Sequence, residues 1–179
     1  MMSDLIEKTI DSKVIYQGKI LNLRLDTVTL PNGNTGAREI VEHSGAVAIV
    51  AITDDQKVVL VKQYRHPVGE VLLELPAGKL ESGENPLQCA RRELKEETGW
   101  EAAEWIELTT FYTSPGFSNE KMYLYLAKNL SYTGQKLDED EFVQVILMTL
   151  DDAVQRVLSG EIHDSKSIAG ILAAKIINK

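Results

Sequence analysis

A chain of 179 residues is long enough for one well-cored domain with a small appendage. Its apolar fraction of 44% and charged fraction of 26% are those of an ordinary globular protein, and no apolar run reaches membrane-spanning length. The net charge of −8, from 19 basic and 27 acidic residues without a Lys/Arg cluster, argues against a nucleic-acid partner, which a basic face would serve. The N-terminus, MMSDLIEKTI, lacks the basic and then apolar order of a signal peptide, and one cysteine excludes an internal disulfide. Both features favour the cytoplasm. That cysteine, Cys89, has nothing nearby to lower its pKa and reads as a packing residue rather than a nucleophile.

From Val14 to Leu30 the pattern is strand-like, with Leu21, Leu23 and Leu25 alternating against polar residues. Pro31-Asn32-Gly33-Asn34 predicts a turn, and Arg38 to His43 the return strand. Residues 1–43 thus form an antiparallel β section too small to stand alone, which must pack on the main domain or on another subunit. The main domain is expected over residues 44–179. Ala46 to Ile52 is a continuous apolar run, as in a strand buried on both faces. A turn at Thr53–Gln56 leads to strands over Lys57–Tyr64 and Val71–Leu75. Leu75-Pro76-Ala77-Gly78 then opens a loop in which Gly78 and Gly83 permit tight turning.

A helix is expected next. Asn85 suits the N-cap, Pro86 the first helical position and Gly99 the position past the C-terminus. Leu87, Ala90 and Leu94 make its apolar stripe. Further strands are predicted near Glu104–Tyr112, Lys121–Ala127 and Phe142–Leu150, and helices over Asp151–Leu158 and Ser165–Asn178. Asp151, and Asp164 or Ser165, would cap those helices, and Ile168, Ile171, Leu172 and Ile176 give the second an apolar face. Strands and helices interleaved in this way imply an α/β fold with a mixed sheet covered by helices.

The chemistry concentrates between Gly78 and Trp100, which holds Glu81, Glu84, Glu93, Glu96, Glu97 and Arg92. On a helix, Glu93 and Glu97 lie one turn apart with Glu96 beside them on an arc facing a cleft, away from the apolar stripe. Like-charge pairs of this kind cost about 0.2–0.5 kcal/mol each, so a cation is expected over the arc. Hard oxygen donors without His or Cys among them suit Mg²⁺ or Mn²⁺. A bare acidic run on a helix is ordinarily a solvated face, but the full spacing here is far more specific. Gly78, Glu84, Arg92, Glu93, Leu94, Glu96, Glu97, Gly99 and Trp100 resemble the Nudix box at every fixed position, with Trp100 bulkier than the usual aliphatic residue.

That resemblance implies an α/β/α sandwich with the catalytic helix beside the sheet. It implies Mg²⁺-dependent hydrolysis of a nucleoside diphosphate linked to another group. It also implies that Glu93, Glu97 and the Ala77 carbonyl bind metal, that Glu96 binds or supports it, and that Arg92 orients a metal-binding glutamate. Glu84 is expected to bridge to Arg92 or the loop backbone.

Other segments resemble the ADP-ribose pyrophosphatase branch: Pro115 in Thr113–Phe117, sixteen residues beyond Gly99, with REIVEHSGAVAIVA from Arg38, VKQYR from Val61 and LDEDEF from Leu137. This implies ADP-ribose as substrate, with Pro115 and Gly116 at its site. It also implies a catalytic base or metal ligand from the Asp138–Glu141 loop, Glu141 first and Glu139 second, and a domain-swapped homodimer built through the N-terminal section. Arg65 ends a strand with a fork suited to phosphate, and Arg38 is a lesser candidate of the same kind. His43, His66 and His163 have no metal-ligand spacing. One departure is that Gly18-Lys19 is followed by Ile20 and Leu21, where relatives often place an adenine-stacking aromatic; Tyr16 is the aromatic nearby. Other readings are a GDP-mannose or related nucleotide-sugar hydrolase, or a Nudix-like ligand sensor. The intact box disfavours the sensor.

Overall fold

The structure, a computed structural model, describes residues 5–137 and 141–177. These fall into two compact units, Met1–Gly45 with Tyr112–Lys121, and Ala46–Phe111 with Met122–Lys179. In the first unit β1 (Lys8–Gln17), β2 (Leu21–Thr29) and β3 (Thr35–His43) form an antiparallel sheet in that order. The sequence pattern predicts one strand through Val14–Leu30. The chain instead turns within it, with Gly18 N–H donating to the Leu21 carbonyl at 3.0 Å. β1 is exposed at every residue, so it carries no inside/outside alternation to mark its ends. The predicted turn is present, with Gly33 at a φ of +84° that favours glycine. Tyr112–Lys121 joins this unit because Val41 N–H donates to Phe117 O (2.8 Å) and Asn119 N–H to Val41 O (3.2 Å).

The second unit is a three-layer α/β/α sandwich around a mixed sheet of order β10-β5-β4-β9-β8, with β6 paired to β5 and β7 to β4. Its strands are β4 (Ala46–Ile52), β5 (Lys57–Arg65), β6 (Glu70–Glu74), β7 (Ala77–Lys79), β8 (Trp100–Tyr112), β9 (Lys121–Tyr132) and β10 (Val143–Thr149). β4 lies parallel to β9 and antiparallel to β5 and β7. Every residue of β4 is buried, which is why its sequence is continuously apolar. Val47, Ile49 and Ala51 pack under Cys89, Ala90 and Leu94 of α1 (Pro86–Thr98). Ala48, Val50 and Ile52 pack on the opposite face with Ala153 of α2 (Leu150–Leu158) and Ile171 and Ala174 of α3 (Ser165–Ile177). Among the described residues no helix is long and apolar enough to cross a membrane.

Two expectations are corrected here. The loop predicted through Ala77–Gly78 is the strand β7, in register with β4 at Ala48↔Ala77. Pro76 has no N–H to offer, but its carbonyl accepts from Ile49 N–H at 2.9 Å, so the chain rejoins the sheet immediately after it. α2 is capped by Thr149, whose hydroxyl accepts from Asp152 N–H at 3.1 Å, rather than by Asp151. Asp164 caps α3 as expected, accepting from Ser167 N–H at 3.0 Å.

The Ser167 hydroxyl donates to Asp164 (2.6 Å) and accepts from the buried Leu75 N–H (2.7 Å), tying α3 to the end of β6. Ser167→Ala strands that N–H in the core. It should lower stability by about 1–3 kcal/mol, read as a lower midpoint in urea denaturation at unchanged slope.

Candidate active site

The helix α1 follows local rules. Asn85 Oδ1 accepts from Leu87 N–H (3.0 Å) and Gln88 N–H (3.4 Å), and Gly99, at φ +75°, closes the other end by donating to Lys95 O at 2.8 Å. Its acidic face departs from expectation: Glu93 and Glu97 are buried along with the apolar stripe. The strand β7 lies against them. A Cβ on Gly78 would stand 1.9 Å from Glu93 Cδ, so the carboxylate occupies the space that any side chain there would need. Ala77 N–H donates to Glu97 Oε2 at 3.0 Å.

Arg92 organises the charges. It donates to Glu84 through Nε (3.0 Å) and Nη2 (3.1 Å), to Glu93 at 2.7 Å and to Glu96 at 3.1 Å. Glu84 in turn accepts from Glu81 N–H at 3.0 Å, so it makes both of the bridges expected of it. The Arg92 hydrogen bonds hold the Glu84 carboxyl down at about 2. Burial acts the other way on the helix face. Chiefly by burial, and against the pull of Arg92 on Glu93 and of the Ala77 N–H on Glu97, Glu93 is pushed up to about 7 and Glu97 up to about 8. Glu141, the first choice for the base, lies two residues before the start of β10 at Val143. Among the described residues no three side chains already converge as a metal cage. The carboxylates are engaged instead by Arg92 and the Ala77 N–H. The donor set is nonetheless all oxygen, and two of its members are buried where ionisation is costly without a cation, which fits a hard divalent ion.

Arg65, at the end of β5, donates through Nε and Nη2 to Glu74 at 2.9 and 2.8 Å. Glu74 is 1% exposed and also takes Lys166, which reaches Asp164 at 2.9 Å. The Glu74 hydrogen bond raises the Arg65 pKa despite burial, and the charge of Glu97 adds to it. The sequence reading singled out Arg65 but missed its partners Glu74 and Lys166, which come from β6 and α3 with no shared spacing. The one available sign was an acid, Glu74, closing an apolar strand.

The remaining candidates divide between the units. Arg38, Pro115 and Gly116 belong to the first. Arg38 is engaged by Glu7, through Nε at 2.8 Å. Pro115 and Gly116 lie in a turn where Phe117 and Ser118 N–H donate to Ser114 O at 3.1 and 2.9 Å. Glu139 lies outside the described residues. Cys89 is buried, and burial lifts its thiol to about 12, in keeping with a packing role.

The spacing from Gly78 to Trp100 is thus built into one helix, one short strand and the loop between them, and a NUDIX domain model matches residues 42–169. The chain belongs to the Nudix family. Residues 7–41 match the nucleoside diphosphate sugar hydrolase N-terminal domain. This Nudix chain is 49% identical over 172 residues to the ADP-ribose pyrophosphatase of Bacillus subtilis (strain 168), spanning 95% of this chain and 93% of that one. It is 50% identical over 167 residues to the methanol dehydrogenase activator of Bacillus methanolicus, spanning 92% and 90%. Among solved structures, an ADP compounds hydrolase superposes with a TM-score of 0.83 over 94% of this chain and 92% of its own, at 20% identity, a likeness of fold.

In this Nudix enzyme Gly78→Ala must displace Glu93, since backbone and carboxylate cannot both keep their places. Hydrolytic activity should fall by roughly 10²-fold while the far-UV circular dichroism spectrum is retained. A near-normal rate would show that Glu93 is not needed where it stands.

Proposed function

We propose that this protein hydrolyses the pyrophosphate of ADP-ribose to AMP and ribose 5-phosphate in the cytoplasm, with Mg²⁺ as cofactor and Mn²⁺ as a substitute. The observation that carries this reading is the pair of buried, all-oxygen carboxylates on α1 beneath β7. Its substrate is supported by the similarity to a protein named for ADP-ribose. Glu93, Glu97 and the Ala77 carbonyl would hold the ion, with Glu96 and Glu141 as further ligands. When bound, it neutralises phosphate oxygens and acidifies a water. Glu141 takes the proton of the attacking water, with Glu139 the second candidate. The water oxygen bonds to phosphorus as the bridging P–O bond breaks, and the bridging oxygen leaves with the other phosphate. Arg92, fixed by Glu84, holds Glu93 and Glu96 in place. Arg65 offers its guanidinium to the phosphates, with Arg38 the lesser candidate, and the Pro115–Gly116 turn contacts the substrate.

A hydrolysis screen tests the substrate. ADP-ribose should give a higher kcat/KM than GDP-mannose, NADH, diadenosine polyphosphates or 8-oxo-dGTP. A clearly better nucleoside triphosphate or GDP-sugar would overturn the assignment.

The metal is tested by Glu97→Gln, which keeps shape and removes charge. Activity should fall by roughly 10²–10⁴-fold. Mg²⁺ should raise the melting temperature of the unaltered protein but not of the variant, because only a bound ion stabilises the folded state. Equal shifts in both proteins would contradict the ligand assignment.

A homodimer is supported by β1, where Ile10, Val14, Ile15 and Tyr16 are each at least 50% exposed, apolar side chains that a second subunit would cover. Light scattering at micromolar concentration should give twice the chain mass. A fully active monomer would exclude it. The similarity to the methanol dehydrogenase activator favours a second reading, in which the chain also activates a dehydrogenase. Activation retained by Glu97→Gln would separate that role from hydrolysis.

A further inference from the structure

On the side of α1 away from Glu93 and Glu97, Arg91 and Lys95 stand one turn apart, with Arg92 at the boundary between the two faces. With Glu101, Ala102 and Trp105 of β8, these three cations line a cavity of about 470 Å³. That volume lies in the range of about 300–1,000 Å³ that small-molecule sites occupy. All of these residues belong to the second unit. The Trp105 ring is fixed in the cavity wall. Its Nε1 donates to Ala102 O at 3.0 Å, and it meets the Tyr125 ring edge to face, with 6.3 Å between centroids.

The charges of this wall are unequally matched. Arg92 directs its donors to Glu84, Glu93, Glu96 and the Cys89 sulfur. Lys95 pairs with Glu101. Among the described residues no carboxylate pairs with Arg91. Its guanidinium lies over the Trp105 ring instead, with Cζ 6.0 Å from the centroid. Arg91 and Lys95 are both exposed, and like charges at i and i+4 repel. An anion held between them would relieve that repulsion, and the indole face beside them is a stacking surface for a planar ring. Two layers stacked on the indole need about 7 Å, so a ring enters between Trp105 and Arg91 once the flexible guanidinium yields by about 1 Å.

We propose that this cavity is a second nucleotide site, which takes a nucleoside monophosphate with its base on Trp105 and its phosphate between Arg91 and Lys95. A free phosphate gains nothing from the indole, and a free nucleoside gains nothing from the two cations; the joined pair uses both. AMP is the member of this class that hydrolysis of ADP-ribose would release, so the site is one for product, across the helix from Glu93 and Glu97. That source rests on the reading of the protein as an ADP-ribose hydrolase. The site itself rests on the cavity, and its occupancy is measured without turnover.

The experiment titrates the full chain with AMP in EDTA, which withholds divalent cations, and reads tryptophan fluorescence and calorimetric heat. Saturable quenching is expected, with AMP bound at least about tenfold more tightly than adenosine, ribose 5-phosphate or inorganic phosphate. Arg91→Ala should weaken AMP binding by roughly tenfold, and Trp105→Phe should weaken it and remove most of the quenching while the far-UV circular dichroism spectrum is kept. Arg91→Ala should leave the initial rate of hydrolysis unchanged, because Arg91 touches none of the carboxylates on the opposite face. An AMP affinity that is the same in the unaltered chain and in both variants would overturn the cavity as the site, as would the lack of saturable binding at millimolar AMP. Adenosine or phosphate bound as tightly as AMP would overturn the nucleotide class. A failed hydrolysis screen would remove the source of AMP and leave the site standing; failed binding would remove the site and leave hydrolysis standing.

Discussion

Two carboxylates, Glu93 and Glu97, are buried against the short strand β7, and the rest of the site follows from the cost of putting them there. Burial, with neighbouring carboxylates adding to it, lifts both toward the neutral form, to about 7 and about 8. The close approach is possible because Gly78 contributes no side chain where Glu93 stands. A site that makes ionised carboxylates costly without a cation, and less costly with one, is the basis of the proposal that an ion binds there.

The strand on which this depends is anchored residue by residue. Glu74 is gripped by Arg65 and Lys166, Leu75 N–H by Ser167 and the Pro76 carbonyl by Ile49 N–H. Ala77 N–H is taken by Glu97, and Gly78 is in contact with Glu93. All three layers of the second unit converge on this stretch: α3 from one face, β4 in the plane of the sheet and α1 from the other. Buried charge is expensive unless every member is paired, and here Glu74 balances Arg65 and Lys166, while Asp164 shares Lys166 and caps α3. On the far side Glu84 holds Arg92 so that Arg92 can hold Glu93 and Glu96.

What was legible in the sequence was local. Asn85, Pro86 and Gly99 mark the limits of α1 because caps and the left-handed end are decided within one turn. The apolar run Ala46–Ile52 reads as a doubly covered strand because helices do cover both of its faces. The box spacing was readable because its arginine and glutamates sit on one helix and the loop before it. What was not legible depended on partners distant in sequence. β7 is only three residues long and is strand only because β4 pairs with it. Glu74 meets Lys166 across a separation of 92 residues. β1 is exposed at every position, so its own pattern could not bound it. The burial of Glu93 and Glu97 was missed for the same reason: helical periodicity places them on an arc but does not reveal what lies over it.

The most direct measurement is anomalous diffraction at the manganese edge from crystals equilibrated with Mn²⁺. The expected result is a strong peak between the Glu93 and Glu97 carboxylates, within about 2.2 Å of an oxygen of each and of the Ala77 carbonyl. Manganese bound only elsewhere, or no peak at a concentration that supports full activity, would contradict the claim that these buried carboxylates exist to hold a cation.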